Sequence, residues 1–173
     1  MLNQLKKLRA QQSERSEKGF TIIEVMIVLA IAGLIIVIVL LAVPSLQRNG
    51  RNTGIRSDAN QTLGYISTFN TDNQGAVPTG VAITSGAVSV TGAAGTNASN
   101  GKIQAGTTIT TTTIAATPVA VTPAVGALSV VLQGKCPDVV SGTNVTPVAS
   151  ARSVAVIYAI ETSGGTAAQC IGS

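Results

Sequence analysis

Residues 18–43 read KGFTIIEVMIVLAIAGLIIVIVLLAV, and this stretch decides how the rest of the chain is organised. After Glu24 it contains nineteen consecutive residues, Val25 to Val43, without a charge. At ~1.5 Å rise per residue, a helix of that length spans about 28 Å, close to the ~30 Å hydrocarbon thickness of a bilayer. The stretch therefore predicts a membrane helix with one carboxylate at its edge.

Three residues of this helix have special properties. A carboxylate inside a bilayer costs about 2.5–3.5 kcal/mol on insertion scales, so Glu24 is expected to be functional and to need a partner. Gly33 lies within the apolar run, and Pro44 follows it. Because proline removes a helical N–H donor and clashes with the preceding turn, we expect a kink or a locally unwound stretch before Pro44.

The net charge of +4 is concentrated at the N-terminus. Residues 1–19 carry five basic and two acidic side chains, whereas the rest of the chain carries six and five. The body is therefore close to neutral, and it shows no basic run with interleaved aromatic residues of the kind that binds nucleic acid. Since positive charge before a first span stays in the cytoplasm, the N-terminus is predicted inside and the body outside.

The two cysteines, Cys136 and Cys170, would then lie in an oxidising compartment. An even count there favours one disulfide, which would close a 35-residue loop. A free pair or a metal site is the weaker alternative, because the chain has no histidine and structural zinc uses four ligands. We predict no bound metal and no cofactor.

Residues 45–75 have the pattern of an amphipathic helix that continues the membrane helix. Its composition is marginal for an isolated helix, so it is expected to form by packing on the body. Apolar residues recur at spacings of four, four and three, which places them on one helical face: Ile55, Ala59, Leu63 and Ile66. The polar residues of this segment are expected mostly elsewhere: Arg51, Arg56, Asp58 and Asn60.

Residues 76–173 are rich in threonine, alanine, valine and glycine, and the β-branched residues among them favour strands. Partial disorder of residues 76–133 stays an alternative. We predict an α+β fold in which the long helix, half in the membrane and half amphipathic, packs on a small antiparallel β head. The predicted strands are Ala87–Thr91, Thr107–Ile114, Ala127–Leu132 and Ser153–Ile160. A flexible loop is predicted for Gly92–Gly101, and turns or an edge at Pro118 and Pro123.

No catalytic constellation is visible, so we predict that the protein is not an enzyme. There is no histidine to act as a base, and the carboxylates of the body are widely separated in sequence. These carboxylates are Asp58, Asp72, Asp138 and Glu161. Three Asn-x-Ser/Thr patterns give weak evidence for glycosylation: Asn60, Asn97 and Asn144.

Residues 18–28 closely resemble the prepilin signature of type IV pilins and related pseudopilins. They combine a basic residue and a glycine, then phenylalanine, a glutamate four residues later and an unbroken apolar helix. The resemblance is strong over about residues 15–45. It implies that prepilin peptidase cuts after Gly19 on the cytoplasmic face, and that the new amino group of Phe20 is N-methylated.

The resemblance also supplies a partner for Glu24, which in such proteins pairs with the Phe20 amine of a neighbouring subunit. A mismatched stagger would leave both charges unpaired in an apolar core, so this pair would set the register of the filament. Gly33 falls where these proteins usually have a glycine. Pro44 comes three residues later than the commonest pilin position, which affects the extent of any unwound segment.

The residue patterns and the resemblance together predict four segments: a cleaved leader (1–19), a transmembrane and assembly helix (20–44), an amphipathic helix (45–75) and a β head with a C-terminal disulfide (76–173). The expected function is a structural subunit of a type IV pilus-like filament, held in the cytoplasmic membrane before assembly and at the cell surface afterwards. Expected partners are other pilin subunits, prepilin peptidase, inner-membrane assembly machinery and membrane lipid. A minor pilin, a secretion-type pseudopilin and a monomeric membrane-anchored binding protein stay as alternatives.

Overall fold

A computed structural model describes residues 19–93, 95–103, 107–114 and 119–172 of the chain. The predicted leader, apart from Gly19, lies outside these residues, and so does Pro118. The chain divides into two compact units, one ending at Pro44 and the other beginning at Ser45.

A single helix, α1 (Ile22–Asp72), accounts for the helical part of both units. Helical backbone continues through Gly33 and Pro44, so both residues lie inside the helix. Unwinding near them during assembly stays a prediction. The helix ends at a turn in which Gly75, with a φ of 83°, donates its N–H to the carbonyl oxygen of Asn70 at 2.6 Å. This bond satisfies one of the carbonyls that a helix end leaves without a partner.

The second unit contains two β-sheets. The first sheet has the order β1-β2-β3 and is antiparallel throughout. The second has the order β4-β5-β6-β7 and is mixed, because β4 pairs parallel with β5 while the other pairs are antiparallel. The strands are β1 (Gly80–Thr84), β2 (Ala87–Gly92), β3 (Gly95–Lys102), β4 (Thr108–Thr113), β5 (Ala127–Lys135), β6 (Val148–Thr162) and β7 (Gly165–Gly172).

All four predicted strands are present, as β2, β4, β5 and β6, and the α+β fold class is confirmed. The flexible loop predicted for Gly92–Gly101 is wrong, because β3 occupies most of this segment and pairs with β2. Its sequence GTNASNGK has little strand propensity, so the strand depends on its neighbour rather than on its composition. Strands β1 and β7 were not predicted, and the parallel β4–β5 pair makes the head mixed rather than purely antiparallel.

Both faces of the second sheet are covered. On one face, buried Leu128, Val130 and Val156 join the core that contains the helix residues. On the other face, buried Val131 and Ile157 pack in a separate cluster with residues of the segment 119–147. A strand buried on both faces needs apolar residues at consecutive positions, which explains the continuous run of β6.

The predicted helix face is confirmed, since Ile55, Ala59 and Ile66 are buried and Leu63 is partly buried. The placement of Asp58 away from this face was wrong. Its side chain is only 3% exposed. One carboxylate oxygen accepts a hydrogen bond from Thr107 Oγ1 at 2.7 Å, so a polar partner from the strand region compensates part of the burial.

The structure joins Cys136 and Cys170 in the disulfide that the sequence favours, with their Cα atoms 5.8 Å apart. Cys136 directly follows β5, and Cys170 lies in β7. Since β6 separates these strands in the sheet, the disulfide links two strands that share no backbone ladder.

Candidate functional site

The candidate site begins at the first turn of α1, where Thr21 and Glu24 form a capping box. The Thr21 N–H and the Thr21 hydroxyl both donate to Glu24 Oε2, at 2.9 and 2.8 Å. In return, the Glu24 N–H donates to Thr21 Oγ1 at 3.3 Å. This reciprocal pattern satisfies N–H groups that a helix start leaves without partners. The Thr-x-x-Glu spacing was readable in the sequence, but we did not predict this local partner for Glu24.

The part of α1 that follows this cap exposes its apolar side chains on all sides as far as residue 47. Every residue from 19 to 47 is exposed. Among the described residues, α1 is the one helix long and apolar enough to cross a membrane, by length and composition. Exposing so large an apolar surface to water is unfavourable in free energy, so this segment requires lipid or other apolar helices around it.

The residues of the predicted processing site lie next to the cap. The Phe20 side chain is 86% exposed. A Cβ added at Gly19 would meet nothing within 4 Å, so a larger residue there would not disturb the folded chain. Gly19, Phe20 and Glu24 therefore lie together at the exposed start of the helix, whereas the Cys136–Cys170 disulfide belongs to the second unit. Cleavage, methylation and register setting stay predictions.

Comparison with known proteins identifies this segment. Residues 15–43 match the family described as the prokaryotic N-terminal methylation motif. This motif is the signature of type IV pilins and pseudopilins, so the resemblance inferred from residues 18–28 is confirmed, and the chain is pilin-like or pseudopilin-like. The motif implies, in general terms, processing by prepilin peptidase, pilin assembly machinery, and membrane anchoring followed by surface assembly. Neither a curated protein nor a solved structure matches the chain.

A second polar site, which sequence reasoning missed, attaches the helix to the end of β6. The Arg51 guanidinium donates two hydrogen bonds to the Glu161 carboxylate, from Nε to Oε1 and from Nη2 to Oε2, both at 2.6 Å. The Asn52 side chain bonds the Glu161 backbone, donating from Nδ2 to the carbonyl oxygen at 2.8 Å and accepting from the N–H at 2.7 Å. We call Arg51, Asn52 and Glu161 the helix–strand clamp.

The clamp satisfies a part of β6 that has β7 on one side but no strand on the side of β5. The β5–β6 ladder reaches only to Tyr158, so Glu161 lies beyond its last pair. The Asn52 amide, which has the same donor and acceptor as a peptide group, takes the place of β5 on that side. No sequence signal would reveal this, because the partners are 109 residues apart.

Because the clamp contains the ion pair between Arg51 and Glu161, we expect the free energy of unfolding to depend on pH. The hydrogen bond from Arg51 lowers the pKa of Glu161 below its usual value of 4.5. A lowered folded-state pKa means that this stabilisation is complete above the unfolded value near 4.5 and is lost as pH falls through the folded value. Replacing Glu161 by glutamine should therefore destabilise the protein at pH 7, and the difference from the parent should shrink below pH 4.5. Urea unfolding of the full chain in detergent, followed by circular dichroism, measures this.

Asn52→Ala provides the matched control, because it removes two neutral hydrogen bonds worth about 0.5–1.5 kcal/mol each. Its effect on the free energy of unfolding should not change between the two pH values. A Glu161→Gln effect that is equally independent of pH would contradict the role given to the ion pair.

Proposed function

We propose that this protein is the structural subunit of a type IV pilus-like extracellular filament, assembled through its N-terminal helix after removal of residues 1–19. The observation that carries the proposal is the arrangement at the helix start. The Gly19–Phe20 junction, the Glu24 carboxylate and the exposed apolar part of α1 are adjacent, within the segment that matches the methylation motif. The protein then works by assembly and performs no catalysis.

The exposed apolar part of the helix suits the subunit both in the membrane before assembly and in the filament afterwards. Before assembly the apolar surface lies in lipid, as a single span with the N-terminus inside. After assembly the same surface packs against the helices of other subunits, where van der Waals contacts replace those made with lipid tails. The head remains at the filament surface. Loss of helical structure between Gly33 and Pro44 would allow neighbouring subunits to adjust their packing.

Glu24 gives this packing a defined register. Its Oε2 atom accepts both Thr21 hydrogen bonds, while Oε1 accepts none among the described residues. The carboxylate therefore keeps an oxygen for a second donor. Cleavage after Gly19 creates a cationic amine on Phe20, and the amine of a neighbouring subunit would neutralise Glu24 within the helix bundle. Removing one partner of a buried ion pair typically costs about 3–5 kcal/mol, so a wrong stagger would be strongly disfavoured.

The proposal is tested by the N-terminus of the protein made by its own cells. Intact-mass and N-terminal peptide spectra should show a chain that begins at Phe20 and carries one additional methyl group on its amino nitrogen. A mature chain that retains residues 1–19 would overturn the proposal. Abundance in filaments sheared from cells separates a major subunit from a minor pilin or a secretion-type pseudopilin, which share the motif.

Replacing Glu24 by alanine should strongly reduce the amount of this protein in the sheared filament fraction, because the Phe20 amine loses its partner. Cleavage itself should continue, since the Gly19–Phe20 junction is intact. Asp138→Ala, which removes an exposed carboxylate of the head, serves as the control and should leave filament recovery unchanged. Normal filaments from the Glu24 variant would favour the monomeric membrane-anchored alternative instead.

A further inference from the structure

Three Asn-x-Ser/Thr patterns occur in this chain, and the structure shows a clear difference between two of them. An acceptor pattern requires both the asparagine and the hydroxyl residue two positions later. Both side chains must therefore be within reach of an enzyme that modifies the folded protein. The side chains of β3, which contains Asn97, lie outside the described residues.

The pattern at Asn60 is only half accessible in the folded chain, because its hydroxyl residue is buried. It lies in α1, where Asn60 Nδ2 already donates to the Arg56 carbonyl oxygen at 2.9 Å. The hydroxyl residue of this pattern, Thr62, has no exposed surface, and its Oγ1 donates to the Asp58 carbonyl oxygen at 2.8 Å. Asn60 itself is exposed, but reaching the Thr62 hydroxyl would require the helix to leave the core.

The pattern at Asn144 is presented at a turn. Asn144 and Thr146 are exposed, whereas Val145 between them is only 1% exposed. Val145 is held by two backbone hydrogen bonds with Val121, at 2.7 and 2.9 Å. The middle residue thus anchors the pattern to the head and leaves the two recognised side chains in solvent.

Hydrogen bonds from two threonines fix the orientation of the Asn144 side-chain amide. Its Oδ1 accepts from the hydroxyls of Thr122, at 2.8 Å, and Thr143, at 3.3 Å. Nδ2 is on the opposite side of the planar amide, and it donates no hydrogen bond among the described residues. The nitrogen that would form a glycosidic bond is therefore directed away from the two threonines and is available.

We propose that Asn144 is an N-glycosylation site. The sugar donor would be an oligosaccharide linked to a polyprenyl pyrophosphate, transferred by a membrane enzyme at the outer face. A bond forms between Nδ2 and the anomeric carbon while the bond from that carbon to the pyrophosphate oxygen breaks. Nδ2 loses one proton, and the lipid pyrophosphate leaves as the anion. The exposed turn accommodates the glycan without displacing a core residue.

The test is peptide mass spectrometry of the protein purified from the cells that make it. After reduction, trypsin releases residues 136–152, a peptide that contains Asn144 and neither of the other two patterns. The expected result is a sugar mass increment on this peptide, located on Asn144 by fragmentation. An unmodified peptide, or a sugar attached to a serine or threonine of the same peptide, would overturn the inference.

Matched variants test whether the sugar increment depends on Asn144 and on the hydroxyl of Thr146. Asn144→Gln and Thr146→Val should each abolish the increment, Thr146→Ser should retain it because serine completes the pattern, and Asn60→Gln should have no effect. An increment that survives Asn144→Gln would overturn the inference. The outcome is separable from the proposed function, because a chain beginning at Phe20 with an unmodified peptide contradicts only this inference. A glycosylated chain that keeps residues 1–19 contradicts only the filament subunit.

Discussion

Replacing Phe69 by alanine is expected to lower the free energy of unfolding by about 3–5 kcal/mol, the usual cost of removing a buried aromatic ring. Phe69 is 1% exposed and is the largest fully buried side chain among the described residues. Its ring lies against Gly92 at the end of β2, where an added Cβ would be 2.3 Å from Phe69 Cζ. Only glycine leaves room for the ring, so the two residues form one packing unit.

The reciprocal change tests this explanation. Gly92→Ala should destabilise by about 1–3 kcal/mol through overpacking, whereas Gly80→Ala, at a position with no atom within 4 Å, should have little effect. In a Phe69→Ala background the cost of Gly92→Ala should largely disappear, because residues in contact are not additive. Urea unfolding of the full-length variants in detergent measures all four values. An undiminished Gly92→Ala cost in that background would contradict the packing unit.

Removing the disulfide is expected to cost about 3–4 kcal/mol, the loop-entropy estimate for this loop length. The effect should be large here because Cys136–Cys170 links the end of β5 to β7 across β6, where no backbone ladder exists. The Cys136→Ala and Cys170→Ala double variant removes the link without leaving a free thiol. Its urea unfolding midpoint should fall to that of the parent protein treated with reductant.

The reductant comparison is also the control for this prediction. Adding reductant to the double variant should change nothing, whereas each single variant should lose about as much stability as the double. A double variant within 0.5 kcal/mol of the oxidised parent, on the order of an ordinary surface substitution, would show that packing of β7 alone holds the C-terminus.

Local patterns in the sequence predicted the features that depend on neighbouring residues. The apolar helix, its junction at Gly19–Phe20 and the isolated carboxylate of Glu24 are all visible within a short stretch, because membrane insertion depends on the composition of that stretch itself. The helical face of Ile55 and Ile66 was readable for a related reason, since burial on one side of a helix imposes a 3.6-residue period.

Features that depend on distant residues were not readable. β3 is a strand because β2 is beside it, and the carboxylate of buried Asp58 is hydrogen-bonded by Thr107, a residue far along the chain. Which Asn-x-Ser/Thr pattern is accessible for glycosylation also depends on the fold. The sequence presents the patterns at Asn60 and Asn144 as equals, and the structure separates them through the burial of Thr62 and the exposure of Thr146.

The sequence by itself determined the pilin-like character of the N-terminal segment, since the signature and the span around Glu24 lie in consecutive residues whose chemistry needs no fold to be recognised. Only the tertiary structure decided how the head is built. The parallel pairing of β4 with β5, the attachment of Arg51 and Asn52 to Glu161 and the fit of Phe69 on Gly92 join residues far apart in the chain. Such contacts form because folding brings complementary groups together, and composition and periodicity carry no record of which groups will meet.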